Sequence, residues 1–123
     1  MFMTNESNDT KLEVVIQLDT PDQQAWQQVL HQIENLLAED ESASVEVVCS
    51  GRGIDLIRRD TTHVSIELAN LVARGVSFVA CNNSLRQRSI SEAELFPYVT
   101  IVPSAIGELI RAQRDGKAYL KLA

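Results

Sequence analysis

The sequence has no run approaching the ~18–20 apolar residues that a membrane helix needs, which predicts no membrane partner. Its opening stretch, MFMTNESNDTK, lacks a basic segment and an apolar segment, so it does not read as a secretory signal. Residues 1–10 read instead as a disordered N-terminal tail. Cysteine is scarce: Cys49 and Cys81 are the only two, and no CxxC pair joins them. Without a leader, such isolated cysteines read as free thiols in a reducing compartment, which predicts a cytoplasmic protein. The two histidines, His31 and His63, are too scattered among the cysteines to form a zinc signature, so neither metal nor cofactor is expected. No Ser-His-Asp arrangement, internal repeat or low-complexity segment beyond the tail is present. Positive charge is also short. The net charge of -6 argues against a general nucleic-acid binder, which needs a basic field.

That charge is unevenly placed. Residues 1–46 hold ten acids and one base, Lys11, whereas residues 47–123 hold ten bases and seven acids. With 45% apolar residues, the remaining 11–123 stretch is sufficient for a single folded domain with its own core. Leu12–Leu18 (LEVVIQL) predicts a strand. Thr20, Pro21 and Gln23 have the spacing of an N-cap, a first helical position and a capping box. Trp26, Val29, Leu30, Ile33, Leu36 and Leu37 then form one apolar stripe, which predicts an amphipathic helix over 21–38. Strands are expected over 45–49, 76–81, 99–102 and 118–122. Helical segments are expected at 54–59, 63–74, 82–88, near Ser91, and at 105–115 behind a Ser104 cap. Strands alternating with helices in this way predict a mainly parallel five-stranded sheet covered by helices on both faces.

Ligands in such sheets gather beyond the carboxyl ends of the strands. Cys49 and Cys81 each close a strand, so a parallel sheet places them on one edge. A free thiol is only ~3% ionised at pH 7, and a nucleophile needs more. Asn82 and Asn83, at the start of a helical turn, offer backbone N–H groups to Cys81, and Arg86 and Arg88 offer positive charge. From its position alone Cys81 reads first as a small hydrophobe ending an apolar strand. Gly51, Arg52 and Gly53, which follow Cys49, form a turn that either presents N–H groups to an anion or simply joins a strand to a helix. His63 lies near the start of a helix on the same edge, as a partner for a thiol or as a capping or surface residue. The expected result is a positive rim, including Arg52, Arg58, Arg59, Arg86 and Arg88, around the cysteine edge.

The runs GVSFVACNNSLRQRSISEAEL and VTIVPSAIGELIRAQRDGKAYLKL resemble the DsrE/DsrF-like family of sulfur-relay proteins. The resemblance rests on Gly75-Val76 leading into Cys81, then Asn83, Leu85 and Ile90. It continues with Val102-Pro103, Glu108-Leu109, Gln113, Gly116, Ala118-Tyr119 and Lys121, and with the earlier Val45–Val48 strand and Gly51. It spans about residues 11–122. It implies a three-layer α/β/α sandwich, flavodoxin-like in outline, that assembles as a homotrimer or homohexamer. It further implies that Cys81 accepts sulfur as a persulfide from a donor and passes it to a partner protein. Ser84 stands in place of a common threonine, and Ala105 in place of a usual glycine. Cys49 is a second thiol there, either incidental or placed to resolve a persulfide on Cys81 as a disulfide. The alternative expectation is a non-catalytic oligomeric module that binds a small anionic ligand or a protein at the same edge. The loops lack a phosphate-cradling motif, which disfavours a flavin or nucleotide binder.

Overall fold

The structure, a computed structural model, describes residues 11–123; the tail expected over residues 1–10 lies outside the described residues. Among the described residues, five strands form one sheet: β1 (Glu13–Leu18), β2 (Ser44–Cys49), β3 (Ser77–Cys81), β4 (Thr100–Val102) and β5 (Ala118–Lys121). Their order is β4-β3-β2-β1-β5, and every pairing is parallel. Four α-helices connect them: α1 (Gln23–Glu39), α2 (Ser65–Ala73), α3 (Asn82–Gln87) and α4 (Ala105–Arg114). Two 3₁₀ segments, Gly51–Ile57 and Glu92–Glu94, complete the chain path.

The topology explains the layers. The steps β1 to β2, β2 to β3 and β3 to β4 all move the same way across the sheet. Right-handed crossovers therefore put α1, α2 and α3 on one face. The step from β4 to β5 runs back to the opposite edge, so α4 lies on the other face. The core divides accordingly. One cluster joins Val14, Ile16, Leu18, Val45, Val47 and Phe78 to the α1 and α2 side chains. The other joins Val15, Val48, Val79 and Cys81 to Ala105 and Ala112 of α4. The central strands β1, β2 and β3 are covered on both faces, which is why they read as apolar runs. The layering agrees with the three-layer expectation, with the sheet wholly rather than mainly parallel.

The α1 stripe buries Trp26, Val29, Leu30, Ile33 and Leu37, as its spacing predicts. Its start differs from the sequence reading. The N-cap is Asp22, whose carboxylate accepts the Gln24 N–H at 3.1 Å, and the helix begins at Gln23. Thr20 serves the turn before it: its hydroxyl accepts the Asp22 N–H, and its carbonyl accepts the Trp26 indole N–H at 2.7 Å. Pro21 consequently lies ahead of the helix. An ionised carboxylate is a stronger acceptor for exposed N–H groups than a hydroxyl, so Asp22 takes the cap. Asp22→Ala should cost about 1 kcal/mol in urea unfolding, whereas Thr20→Ser should be nearly neutral.

One polar side chain is buried in mid-sheet. Glu46 of β2 is 5% exposed and faces the α4 layer. Lys117 Nζ approaches its carboxyl at 3.1 Å, and Glu108 of α4, itself paired with Arg111, lies against it. Burial pushes the Glu46 carboxyl up to about 7, helped by the adjacent Glu108 and opposed by Lys117. Glu108 is held below the usual carboxylate range, chiefly by its hydrogen bond with Glu46. The proton of this pair therefore sits on Glu46, which donates to the Glu108 carboxylate.

Candidate functional site

The carboxyl edge of the sheet brings Cys81 together with groups from three segments. Cys81 ends β3 and occupies the N-cap position of α3. It pairs with Val102 of β4, and the chain then turns through Pro103 and Ser104 into α4. Ser104 caps α4 by accepting the Gly107 N–H at 3.0 Å. This path carries the first N–H of α4, that of Ala105, to the thiol.

Cys81 is 5% exposed. Burial alone would push its thiol up. The Ser84 hydroxyl and the backbone N–H groups of Ser84, Ala105 and Asn83 outweigh that effect, so the thiol lies below its ordinary value. Hydrogen bonds to the charged form favour it. Ser84 is itself 8% exposed, and its oxygen accepts the Gly51 N–H at 2.8 Å. The site thus presents a sulfur whose ionised form is solvated by protein donors.

The other residues singled out from the sequence are distributed differently. Asn83 contributes through its backbone N–H, while Asn82 is half-buried at the start of α3. Cys49 does not join Cys81. Its strand register sets it opposite Ala80, one residue short of Cys81. Side chains alternate along strands, so Cys49 points into the α1 and α2 layer while Cys81 points toward α4. Side chains directed to opposite faces cannot be bridged without backbone movement, which excludes Cys49 as a disulfide partner in this fold. Complete burial also pushes the Cys49 thiol up to about 12. His63 is exposed in the α1 and α2 layer, its ring 6.4 Å from that of Trp26, and so belongs to the face opposite Cys81.

The glycine turn is structural rather than an open anion cradle. The Gly51 N–H goes to Ser84, and the Gly53 N–H goes to the Ser50 carbonyl. Gly53 is buried against the end of β1, and Arg52 is exposed beside it. The positive rim is neutralised in part, at Arg58 and Arg88. Asp55 pairs with both Arg58 (3.3 Å) and Arg88 (2.9 Å), and Arg58 also pairs with Glu94 at 2.7 Å. Arg59 donates to the Leu95 carbonyl, and Arg86 is exposed.

Sequence reasoning missed Ser84 and Ala105 as donors and Asp55 as the neutralising group. A hydroxyl three residues beyond a cysteine at a strand-to-helix turn was a usable signal, because the third helical residue faces back toward the cap. The Ala105 contribution is a backbone N–H and carries no side-chain signature.

The profile of the DsrE/DsrF-like family matches residues 13–122. The chain belongs to the DsrE/DsrF-like family. This family is commonly linked to sulfur relay. The protein of unknown function MTH1491 from Methanobacterium thermoautotrophicum is 32% identical, with a TM-score of 0.85 over 90% of this chain and 99% of that one. The ychN protein from E. coli shares the fold at 17% identity, with a TM-score of 0.73 over 91% of this chain and 99% of that one. No curated protein matches. Among the described residues, no helix of this DsrE-like chain is long and apolar enough to cross a membrane.

Proposed function

We propose that this DsrE-like protein is a sulfur carrier that holds a persulfide on Cys81 and passes the sulfur to a partner protein. The observation that supports this reading most is the convergence of the Ser84 hydroxyl and the Asn83, Ser84 and Ala105 N–H groups on one sulfur. A thiolate is the species that attacks sulfur, and these donors raise its share at neutral pH.

In loading, the Cys81 thiolate attacks the terminal sulfane sulfur of a donor. A new S–S bond forms at Cys81, the donor S–S bond breaks, and the donor sulfur leaves with the electron pair. In unloading, a cysteine thiolate of the acceptor protein attacks the outer sulfur, and Cys81 leaves as the thiolate. No external oxidant or reductant enters either step. The same donors that favour the thiolate make Cys81 a good leaving group. Cys49, buried on the other face, takes no part. The proposal places this chemistry in the cytoplasm, in a homotrimer or homohexamer. Exposed apolar side chains on α4 and β5, with Ile106 at 71% and Ile110 at 49%, support assembly between copies.

Intact mass spectrometry after incubation of the reduced protein with a sulfane donor such as polysulfide tests the reading. The wild type should gain about 32 Da, one sulfur atom, reversed by dithiothreitol. Cys81→Ser should gain none, and Cys49→Ser should load as the wild type does. Failure of the wild type to load, or loading that survives Cys81→Ser, rejects it. In that event Cys81 marks a binding module rather than a carrier.

A further inference from the structure

We infer that Arg88 is a positioning residue for Cys81, acting through the Gly51 turn and the Ser84 hydroxyl rather than through its charge. The inference rests on Cys81 being the working thiol. Its basis is a continuous chain of contacts. Arg88 Nη2 is held by Asp55 at 2.9 Å, and Arg88 Nη1 donates to the Gly51 carbonyl at 2.9 Å. The Gly51 N–H in turn donates to Ser84 Oγ at 2.8 Å.

A hydroxyl has one hydrogen to donate and two lone pairs to accept with. The Gly51 N–H takes one lone pair and leaves the Ser84 hydrogen free to donate to Cys81, which stands at the N-cap three residues before it. Gly51 has a positive φ of 53° and no heavy atom within 4 Å of where a Cβ would stand, so packing at Gly51 itself does not fix its peptide orientation. Arg88 pins its carbonyl side and Ser84 its amide side. The Arg88 charge is poorly suited to act at a distance. Asp55 neutralises it, and Arg58 and Glu94 complete a balanced cluster of two acids and two bases.

The rate of iodoacetamide alkylation at Cys81, followed by mass against pH, measures the thiol's acidity directly. Ser84→Ala should raise the midpoint by about one pH unit, near tenfold in thiolate at neutral pH, and Ser84→Thr should restore it. Arg88→Ala should raise the midpoint by a smaller amount in the wild-type background and by nothing further in Ser84→Ala. Residues acting through one another are non-additive in this way. Asp55→Asn should leave the midpoint unchanged or raise it, since it loosens Arg88.

The inference is overturned if Arg88→Ala has the same effect with and without Ser84, if that effect fades in 0.5 M salt (roughly the regime where ~0.1 M-range charge effects are screened), or if Asp55→Asn lowers the midpoint. Each of those results marks a direct effect of charge. A midpoint unmoved by Ser84→Ala also overturns it. Alkylation reads acidity whether or not sulfur is carried. A protein that behaves as expected here but gains no sulfur from polysulfide rejects the carrier reading alone.

Discussion

Gly53→Ala should be recovered unfolded or aggregated, whereas Gly51→Ala should fold with a loss of about 1 kcal/mol. Both glycines lie in one short turn, and their difference is geometric. A Cβ on Gly51 would meet nothing within 4 Å, and its only difficulty is the positive φ of 53°. A Cβ on Gly53 would stand 2.1 Å from the Leu18 carbonyl oxygen, with the Leu18 and Asp19 backbone close behind. These are main-chain atoms at the end of a central strand and cannot rotate aside. The same Leu18 oxygen accepts the Ser50 N–H at 3.0 Å, so displacing it also breaks the link between β1 and the turn. We expect a destabilisation of about 4 kcal/mol or more, at the far end of single-residue effects. The check is urea unfolding of soluble material, with recovery from the insoluble fraction as a second measure. A Gly53→Ala protein within about 1 kcal/mol of the wild type would show that the close approach is not rigid.

The second large effect is in pH. The native Glu46 carboxyl titrates at about 7, against an ordinary 4.5 in the unfolded chain. Between those values the folded protein holds a proton that the unfolded chain has released. Stability must therefore fall as pH rises across this window and level off above it. At about 1.36 kcal/mol per pH unit, the loss is on the order of 3 kcal/mol. Glu108 works in the opposite sense and in a different window. Its lowered pKa gives stability that is present above about 4.5 and lost only in acid. The charged groups facing Glu46 are Glu108 from α4, itself paired with Arg111, and Lys117 beyond it, while its neighbours in register, Val15 and Ser77, are uncharged. Glu46→Gln keeps an oxygen for Lys117 without a titrating proton. It should be more stable than the wild type at pH 8 by roughly 2–3 kcal/mol and nearly equal at pH 5. Urea melts at the two pH values decide the matter, and an unchanged pH slope in Glu46→Gln would assign the titration elsewhere.

Much of the architecture was legible because burial leaves a strong period in sequence. The Trp26-to-Leu37 stripe could only be a helix laid on a core, and VEVVC and VSFVAC had the apolar density of strands covered on both faces. The position of Cys81 at a strand end was readable for the same reason, and the family from the motifs around Cys81 and in the C-terminal segment. The relation between the two cysteines was not. Both close strands, but a one-residue offset in register reverses the face on which a side chain emerges. Register is a pairwise property that a single strand does not encode. The charges misled in a similar way. Arg58 and Arg88 looked like free cations beside the cysteine edge because Asp55, which pairs with both, lies in a turn whose path depends on the close fit of Gly53. The α1 start was misread for a local reason: Thr20 and Asp22 can each cap, and the contact from the Trp26 indole to the Thr20 carbonyl favours the later one.

The return of the chain from β4 to β5 also orders events in folding. Val14 of β1 meets Val45 early, but its partner on the other side, Ala118, lies more than three times as far along the chain. Closing that longer loop costs about 1 kcal/mol more in chain entropy, so β5 is expected to join late. The helix that makes this return is α4, and its first N–H is one of the donors at Cys81. During synthesis the cysteine therefore emerges as an ordinary thiol. The donor set around it is complete only when the C-terminal part of the chain has crossed the sheet, so in the proposed carrier reactivity would be deferred until the fold that controls it is complete.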